Sequence, residues 1–235
     1  MPKSGKRTGF IQVKHFLRRL FELVIGQVFY AFGIILSINA NIGYAPWEVF
    51  HVGLAKTMHL SLGLVTIIVG TLILVLVTLL GEKLGFGSIV SMLLTGLFID
   101  LIIKINFIPV SHNMAMSLIM LISGMFIISV GSYFYIKSAF GAGPRDNLMV
   151  VLARKTRIPV GICRSAIELA VTLAGWILGG MIGIGTIITV VGIGFCIQIT
   201  FKIFKFDVTA VKHESLSDTY KYFFGKKDVI PEKPE

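Results

Sequence analysis

Acidic residues are scarce in this chain: Asp and Glu number 12 against 22 Lys and Arg, and all charged residues make up only 14% of 235 positions. Cysteine is scarcer still. Cys163 and Cys196 are the only two, each inside an apolar run. That pattern indicates neither a disulfide framework nor a metal site, and both read as packing residues. There is no Ser/His/Asp set, nucleophile elbow or phosphate-binding loop, so an enzyme is not expected and nothing calls for a cofactor. No polar stretch is long enough to form a soluble domain. What remains is apolar. Hydrophobic residues are 55% of the chain and its mean hydropathy is +0.86, more apolar surface than a soluble core of this length needs to bury. The chain reads as one integral membrane domain with short tails, its surroundings a lipid bilayer.

A net charge of +10 in a soluble protein would suggest nucleic acid. Here the cations gather in three zones beside apolar runs, as the positive-inside rule places them, so no nucleic-acid partner is expected. Lys3, Lys6, Arg7, Lys14, Arg18 and Arg19 ahead of an apolar run can mimic a secretion signal. The run from Leu20 to Ala40 exceeds the roughly 7 to 15 residues of a signal's apolar region. It fits a retained span of about 20 residues. Its one charge, Glu22, is placed to pair with Arg18 a turn earlier.

Six spans are expected, at roughly 17–39, 62–80, 86–105, 115–137, 160–179 and 182–204. The first tail, the stretch from Lys137 to Arg164, and the tail holding Lys202, Lys205 and Lys212 should face the cytoplasm, which places both termini there. Lys56 and Lys104 are left for the opposite side. The expected division is a cytoplasmic tail at 1–16, a first membrane repeat at 17–105, a second at 115–204 and a cytoplasmic tail at 205–235. A membrane β-barrel is excluded, because the apolar runs lack an alternating period.

Sliding the chain by 98 positions lays Gly43 on Gly141, Pro46 on Pro144, Leu54 and Ala55 on Leu152 and Ala153, and Lys56 on Arg154, without a gap. The register continues through Gly63 on Gly161, Gly87 on Gly185 and Gly96 on Gly194, and reaches back to Gly26 on Gly124 and Gly33 on Gly131. Such a register marks an internal repeat. Each copy holds three spans, an odd number, so the copies should be oppositely oriented. The expected fold is therefore all-α: six transmembrane helices as two inverted three-helix repeats, each with a short proline-led motif helix.

The motif segments are GYAPWEVFHVGLAKTM and GAGPRDNLMVVLARKT. In each, Gly permits a sharp turn, Pro occupies a helix's first position, and an acid, Glu48 or Asp146, follows two residues later. A helix of about 12 residues would be about 18 Å long, too short for a core of about 30 Å. It either lies in the interface or dips halfway. Two such elements entering from opposite faces would aim their amino ends at the midplane, where secondary transporters bind substrate. Glu48 and Asp146 are equally explained as acids answering a helix's first-turn N–H groups. Arg145 sits at the positive end of the same dipole and requires an anionic partner, either a carboxylate from another span or a ligand. Arg164 and Glu168, four apart on the fifth span, are either a functional intramembrane pair or one that fixes helix packing. Glu168 should face the bundle interior. Asp100 reads as an interface residue. His51 and His59 read as ordinary interfacial histidines. Trp47 is either part of an aromatic belt or of a pocket wall. GIGT at 183–186 and the spacing of Gly175 and Gly179 read as close helix packing.

ANIGYAPWEVFHVGL, GAGPRDNLMVVLARKT, PVGICRSAIELAVTLAGWILGG and the closing GIGTI together resemble the bacterial YczE/YyaS/YitT-type integral membrane proteins, nearest the YczE branch. The likeness covers about residues 20–203. GPRD followed by R-x-x-x-E is its most specific part. Glu48 departs from it, standing where Asp is expected, with the charge kept. The resemblance implies a small multi-spanning protein of the bacterial plasma membrane and no defined substrate.

Two functions of different class follow. One is a secondary transporter or exporter of a small, unidentified molecule, with Trp47, Glu48, Arg145, Asp146, Arg164 and Glu168 as its substrate site. The other is a noncatalytic accessory whose Gly-rich faces dock on an enzyme, sensor or transporter. A charged, water-filled cavity between the halves favours the first; a dry, fully paired interior favours the second. Homo-oligomerisation is left open by both.

Overall fold

The computed structural model describes the backbone of residues 4–82, 84–141, 143–207 and 211, with side chains from His15 onward. Most of the expected C-terminal tail, Lys212 included, and Lys3 lie outside the described residues. Eight helices follow in order: α1 (Ser4–Asn39), α2 (Pro46–Met58), α3 (Leu62–Leu79), α4 (Phe86–Ile105), α5 (Met114–Lys137), α6 (Pro144–Thr156), α7 (Val160–Ile177) and α8 (Ile184–Ile203). Among the described residues there is no strand. Six helices are long and apolar enough to cross a membrane: α1 from His15 onward, α3, α4, α5, α7 and α8. The expected spans lie within a few residues of these. Much of the stretch read as an amino-terminal tail is helical, because α1 begins at Ser4.

The two motif segments form the short helices. Each begins with proline after an extended residue, Ala45 or Gly143, and each runs 13 residues, about 20 Å. Neither can span. Gly43 and Gly141 take φ of +112° and +130° in the turns before them, a region that only glycine enters readily. The same two glycines allow close approach: a methyl on Gly43 would lie 2.6 Å from the Gly183 nitrogen, and one on Gly141 2.8 Å from the Gly85 α-carbon.

The bounds of α2, α3 and α4 recur 98 positions later as those of α6, α7 and α8 (46 becomes 144, 62 becomes 160, 86 becomes 184). Contacts recur in the same register. The Gly87 N–H donates to the Phe140 carbonyl at 2.8 Å, and the Gly185 N–H donates to the Ile42 carbonyl at 2.7 Å. α1 and α5 make the most extensive helix pair. Gly26 abuts Gly131, and Gly33 abuts Gly124. Rising numbers on one helix meet falling numbers on the other, so the two run antiparallel. With lipid outside as apolar as leucine, such backbone approach gives the van der Waals contact that holds spans together.

Alternate helix ends gather on two faces of the bundle. On one, Phe16, Phe86 and Phe140 cluster, the Arg19 Nε donates to the Ser138 carbonyl at 2.7 Å, Glu22 meets Arg18 and Lys137 at 3.3 and 3.6 Å, and Arg154 pairs with Glu82. On the other, the Asn39 Nδ2 donates to the Ile108 carbonyl at 2.8 Å and the Lys56 Nζ to the Gly179 carbonyl at 3.0 Å. The first face is the cation-rich one. Gly175 packs under Phe50 of α2, but Gly180 rather than Gly179 completes that contact by meeting Val49.

Candidate functional site

α3 packs α2 and α6 through one stripe at helical spacing, Val65, Val69, Ile73 and Val77, against Trp47, Leu148 and Val151. That stripe brings the starts of the two short helices toward each other. Arg145, the second residue of α6, extends to α2: its Nη1 lies 3.3 Å from Glu48 Oε1, its Nη2 3.3 Å from His51 Nδ1, and its guanidinium 4.9 Å from the centre of the Trp47 ring. The anionic partner that Arg145 requires is thus Glu48, from the other motif.

The Glu48 side chain is 11% exposed and that of Arg145 22%, so each charge depends on the other for much of its stabilisation. His51 takes its state from the same pair. The Thr66 hydroxyl donates to the Leu62 carbonyl at 2.9 Å, which leaves Arg145 as the donor to Nδ1 and the proton on Nε2. Burial, then the nearby Arg145 cation, hold the imidazole well below its ordinary pKa of 6.5, so it is neutral. Its Nε2 and the Trp47 Nε1 are buried with no hydrogen-bond partner among the described residues. Two N–H donors left this way are costly in a finished core and suit a site that takes an acceptor.

Asp146 begins α6 beside them. Its Oδ2 accepts from the Tyr135 hydroxyl at 2.8 Å, and that hydroxyl accepts from the Gly143 N–H at 2.9 Å. The phenol therefore holds the turn leading into α6, while the Asp146 side chain remains exposed. His51, Tyr135, Arg145 and Asp146 help to line a cavity of about 100 Å³, closed further by Gln27 and Tyr30 of α1, one face of α3 at Thr66, Val69, Gly70 and Ile73, and Ser91, Met92 and Thr95 of α4, with Glu48 and Trp47 behind Arg145 and outside the lining. The lining residues come from the middle turns of α1, α3 and α4, so the cavity lies near the centre of the spans. The Gln27 and Thr95 side chains hydrogen-bond across its wall.

Of the six residues expected at the site, Trp47, Glu48, Arg145 and Asp146 come together. Arg164 and Glu168 form their own pair at 2.8 Å on α7, with side chains 45% and 17% exposed. α7 buries Cys163 and Gly175; Arg164 is exposed and Glu168 largely covered, and neither is among the residues lining the cavity. His51 is not interfacial: it is 3% exposed and belongs to the site. His59 ends α2 in the left-handed conformation. Asp100 caps α3, accepting from the Ser61 hydroxyl and the Gly63 N–H at 2.6 and 2.7 Å. Gln27, Tyr30, Thr95 and Tyr135 were not foreseen. Their one signal is polarity inside an apolar span, which serines and threonines elsewhere in the chain share.

Fold and site together define an all-helical, multi-pass membrane protein in which two proline-led half-length helices meet beside a charged cavity. More narrowly, residues 17–202 match the profile described as "Family of unknown function (DUF6198)", and the chain belongs to that family. It is similar to the "Uncharacterized membrane protein YczE" of Bacillus subtilis, 35% identical over 187 residues that cover 75% of this chain and 86% of the relative. An "Uncharacterized protein" of Haemophilus influenzae is 28% identical over 168 residues, 72% of this chain and 76% of the other. The "Uncharacterized protein YyaS" of Bacillus subtilis is 26% identical over 168 residues, 71% and 84% of the two chains. The YczE-type resemblance is thus upheld. No solved structure matches.

Proposed function

We propose that the protein is a secondary transporter of a small polar solute, seated in the bacterial plasma membrane with its cation-rich face toward the cytoplasm, and that its halves are inverted repeats about the central cavity. The observation that carries this reading is the meeting of Arg145 and Glu48 beside that cavity. The amino ends of two helices too short to span are aimed at one mid-bilayer site from opposite directions, the arrangement that gives a solute N–H groups and dipole ends in the absence of water. The antiparallel α1–α5 seam supports the inversion, since an axis relating two antiparallel spans lies across them, in the membrane plane. The unpartnered donor of His51, a lining residue, suits an acceptor on the solute, and the exposed Asp146 carboxylate suits a donor or a coupling proton. Among the described residues no nucleophile–base pair lines the cavity to support catalysis. An accessory protein would be better served by a closed, fully paired interior, and this cavity weighs against it.

Uptake and efflux of a broad metabolite panel in vesicles reconstituted with the protein, wild type against Glu48→Gln, tests the reading. Movement of one solute class that Glu48→Gln slows is the expected result. No movement of any solute, or equal movement in the variant, overturns it.

A further inference from the structure

The halves differ at a pair of glycines that their sequences share. In the first half Gly63 of α3 and Gly96 of α4 are in backbone contact: a methyl on Gly63 would lie 2.0 Å from the Gly96 carbonyl oxygen, and one on Gly96 2.5 Å from that of Gly63. Asp100, a turn beyond Gly96, ties the same seam through Ser61 and the Gly63 N–H. Ninety-eight positions on stand Gly161 of α7 and Gly194 of α8. Among the described residues, a methyl on either would meet nothing within 4 Å. α3 packs along α4, whereas α7 packs on α2 and α6. Gln198, on a solvent- or lipid-accessible face of α8, replaces Asp100, so the second half lacks that tie.

The two seams lie at opposite ends of the bundle. Ser61, Gly63 and Asp100 belong to the end where α3 starts and α4 finishes; Gly161 follows the cations Arg154, Lys155 and Arg157 at the cation-rich end. Asp146, on the cavity wall, is exposed in this state, and Arg164 stands exposed one turn along α7 from Gly161. Glycine inside a helix weakens it unless close packing repays the loss. The first-half pair has that packing and the second-half pair does not.

Building on the transport reading above, we propose that these seams are the two gates of the cavity. The α3–α4 gate is shut here by Gly63, Gly96 and Asp100, and the α7–α8 gate stands open toward the cation-rich face. In the alternate state Gly161 closes on Gly194 while Gly63 parts from Gly96. A packed interface of this kind has two discrete arrangements rather than a continuum, so weakening one seam shifts the population toward the other. Asp100 biases the balance toward the state described, because only that state contains its bonds to Ser61 and Gly63.

The test uses the full chain with Cys163→Ala and Cys196→Ala, carrying Gly161→Cys and Gly194→Cys, both at positions with room for a side chain. Oxidation in vesicles without solute should join the two positions within one polypeptide, read by mass spectrometry of the linked peptides. Adding Asp100→Asn should raise the rate on the order of fivefold, the effect of losing one ordinary hydrogen bond on a two-state ratio. In the same chain, oxidation should stop movement of any transported solute, and a thiol reductant should restore it. The gate assignment is overturned by a folded protein, with unchanged circular dichroism and gel-filtration profile, that forms no 161–194 link. It is equally overturned by links that form only between chains, by a rate indifferent to Asp100→Asn, or by transport that continues after cross-linking. If the link forms and responds to Asp100→Asn while no solute in the panel moves, the two-state seam stands and the transport reading falls.

Discussion

Replacing Arg145 by Gln removes the cation that Glu48 faces at 3.3 Å, the donor to His51 Nδ1 and the group lying over Trp47. At that separation the bare attraction is about 5 kcal/mol for an effective dielectric constant near 20. Desolvation of both groups offsets much of it. Breaking a fully buried pair costs about 3 to 5 kcal/mol, chiefly because one charge is left behind. The Arg145 side chain keeps 22% of its surface open and the cavity adjoins it, so a loss of about 2 to 3 kcal/mol is expected, at or just below the low end of that range. Glu48→Gln alone should cost about as much for the same reason. The double variant Glu48→Gln/Arg145→Gln strands no charge, so the cycle should show a coupling of about 1 to 2 kcal/mol. Equilibrium unfolding in mixed detergent micelles, followed by the fluorescence of Trp47 and Trp176, measures it. If the two single losses simply add in the double variant, within about 0.5 kcal/mol, Arg145 and Glu48 are not each other's partners and the convergence of the two short helices is lost as an argument.

Gly131→Ala should destabilise the bundle by about 1 to 3 kcal/mol, because its methyl would lie 2.7 Å from both the Gly26 carbonyl oxygen and the Tyr30 nitrogen; an unchanged unfolding midpoint in detergent would contradict that packing. His51 titrates below its ordinary 6.5 in the folded chain, so on acidification through that value the unfolded chain takes up a proton that the folded one refuses, and stability falls. Thermal midpoints measured on either side of 6.5 should drop for wild type more than for His51→Gln, and equal drops would refute the assignment. Lys56→Cys and Arg154→Cys should be labelled by an impermeant maleimide from opposite sides of the membrane, Arg154→Cys from the cytoplasm; labelling of both from one side would remove the proposed topology.

The six spans and the 98-residue register were legible because both rest on local signals: the length of apolar runs, and proline and glycine at turns. Glu48, Arg145 and Asp146 stood out as charges in the first turn of a short helix, and Arg18–Glu22 and Arg164–Glu168 as pairs one turn apart. The partner of Arg145 was not legible. Glu48 lies 97 positions away (145 minus 48), and only the α3 stripe that gathers α2 and α6 makes them neighbours. His51 was misread for the same reason, since its helix has no strongly one-sided pattern and its burial is decided by what packs on it. The direction faced by Glu168 likewise depends on which side of α7 Cys163 and Gly175 press against their neighbours. Asp100 could be placed near a span's end, but its role needed Ser61 and Gly63 from another helix.

The crossing of α1 with α5 has a bearing on assembly. Each of the two ridges, Gly26 with Gly33 and Gly124 with Gly131, finds its complement only in the other, and only head to tail. Made as two polypeptides cut between Ile105 and Met114, the halves should therefore reunite only when the membrane receives them in opposing senses; two fragments threaded the same way would meet with their ridges out of step and remain strangers in the lipid.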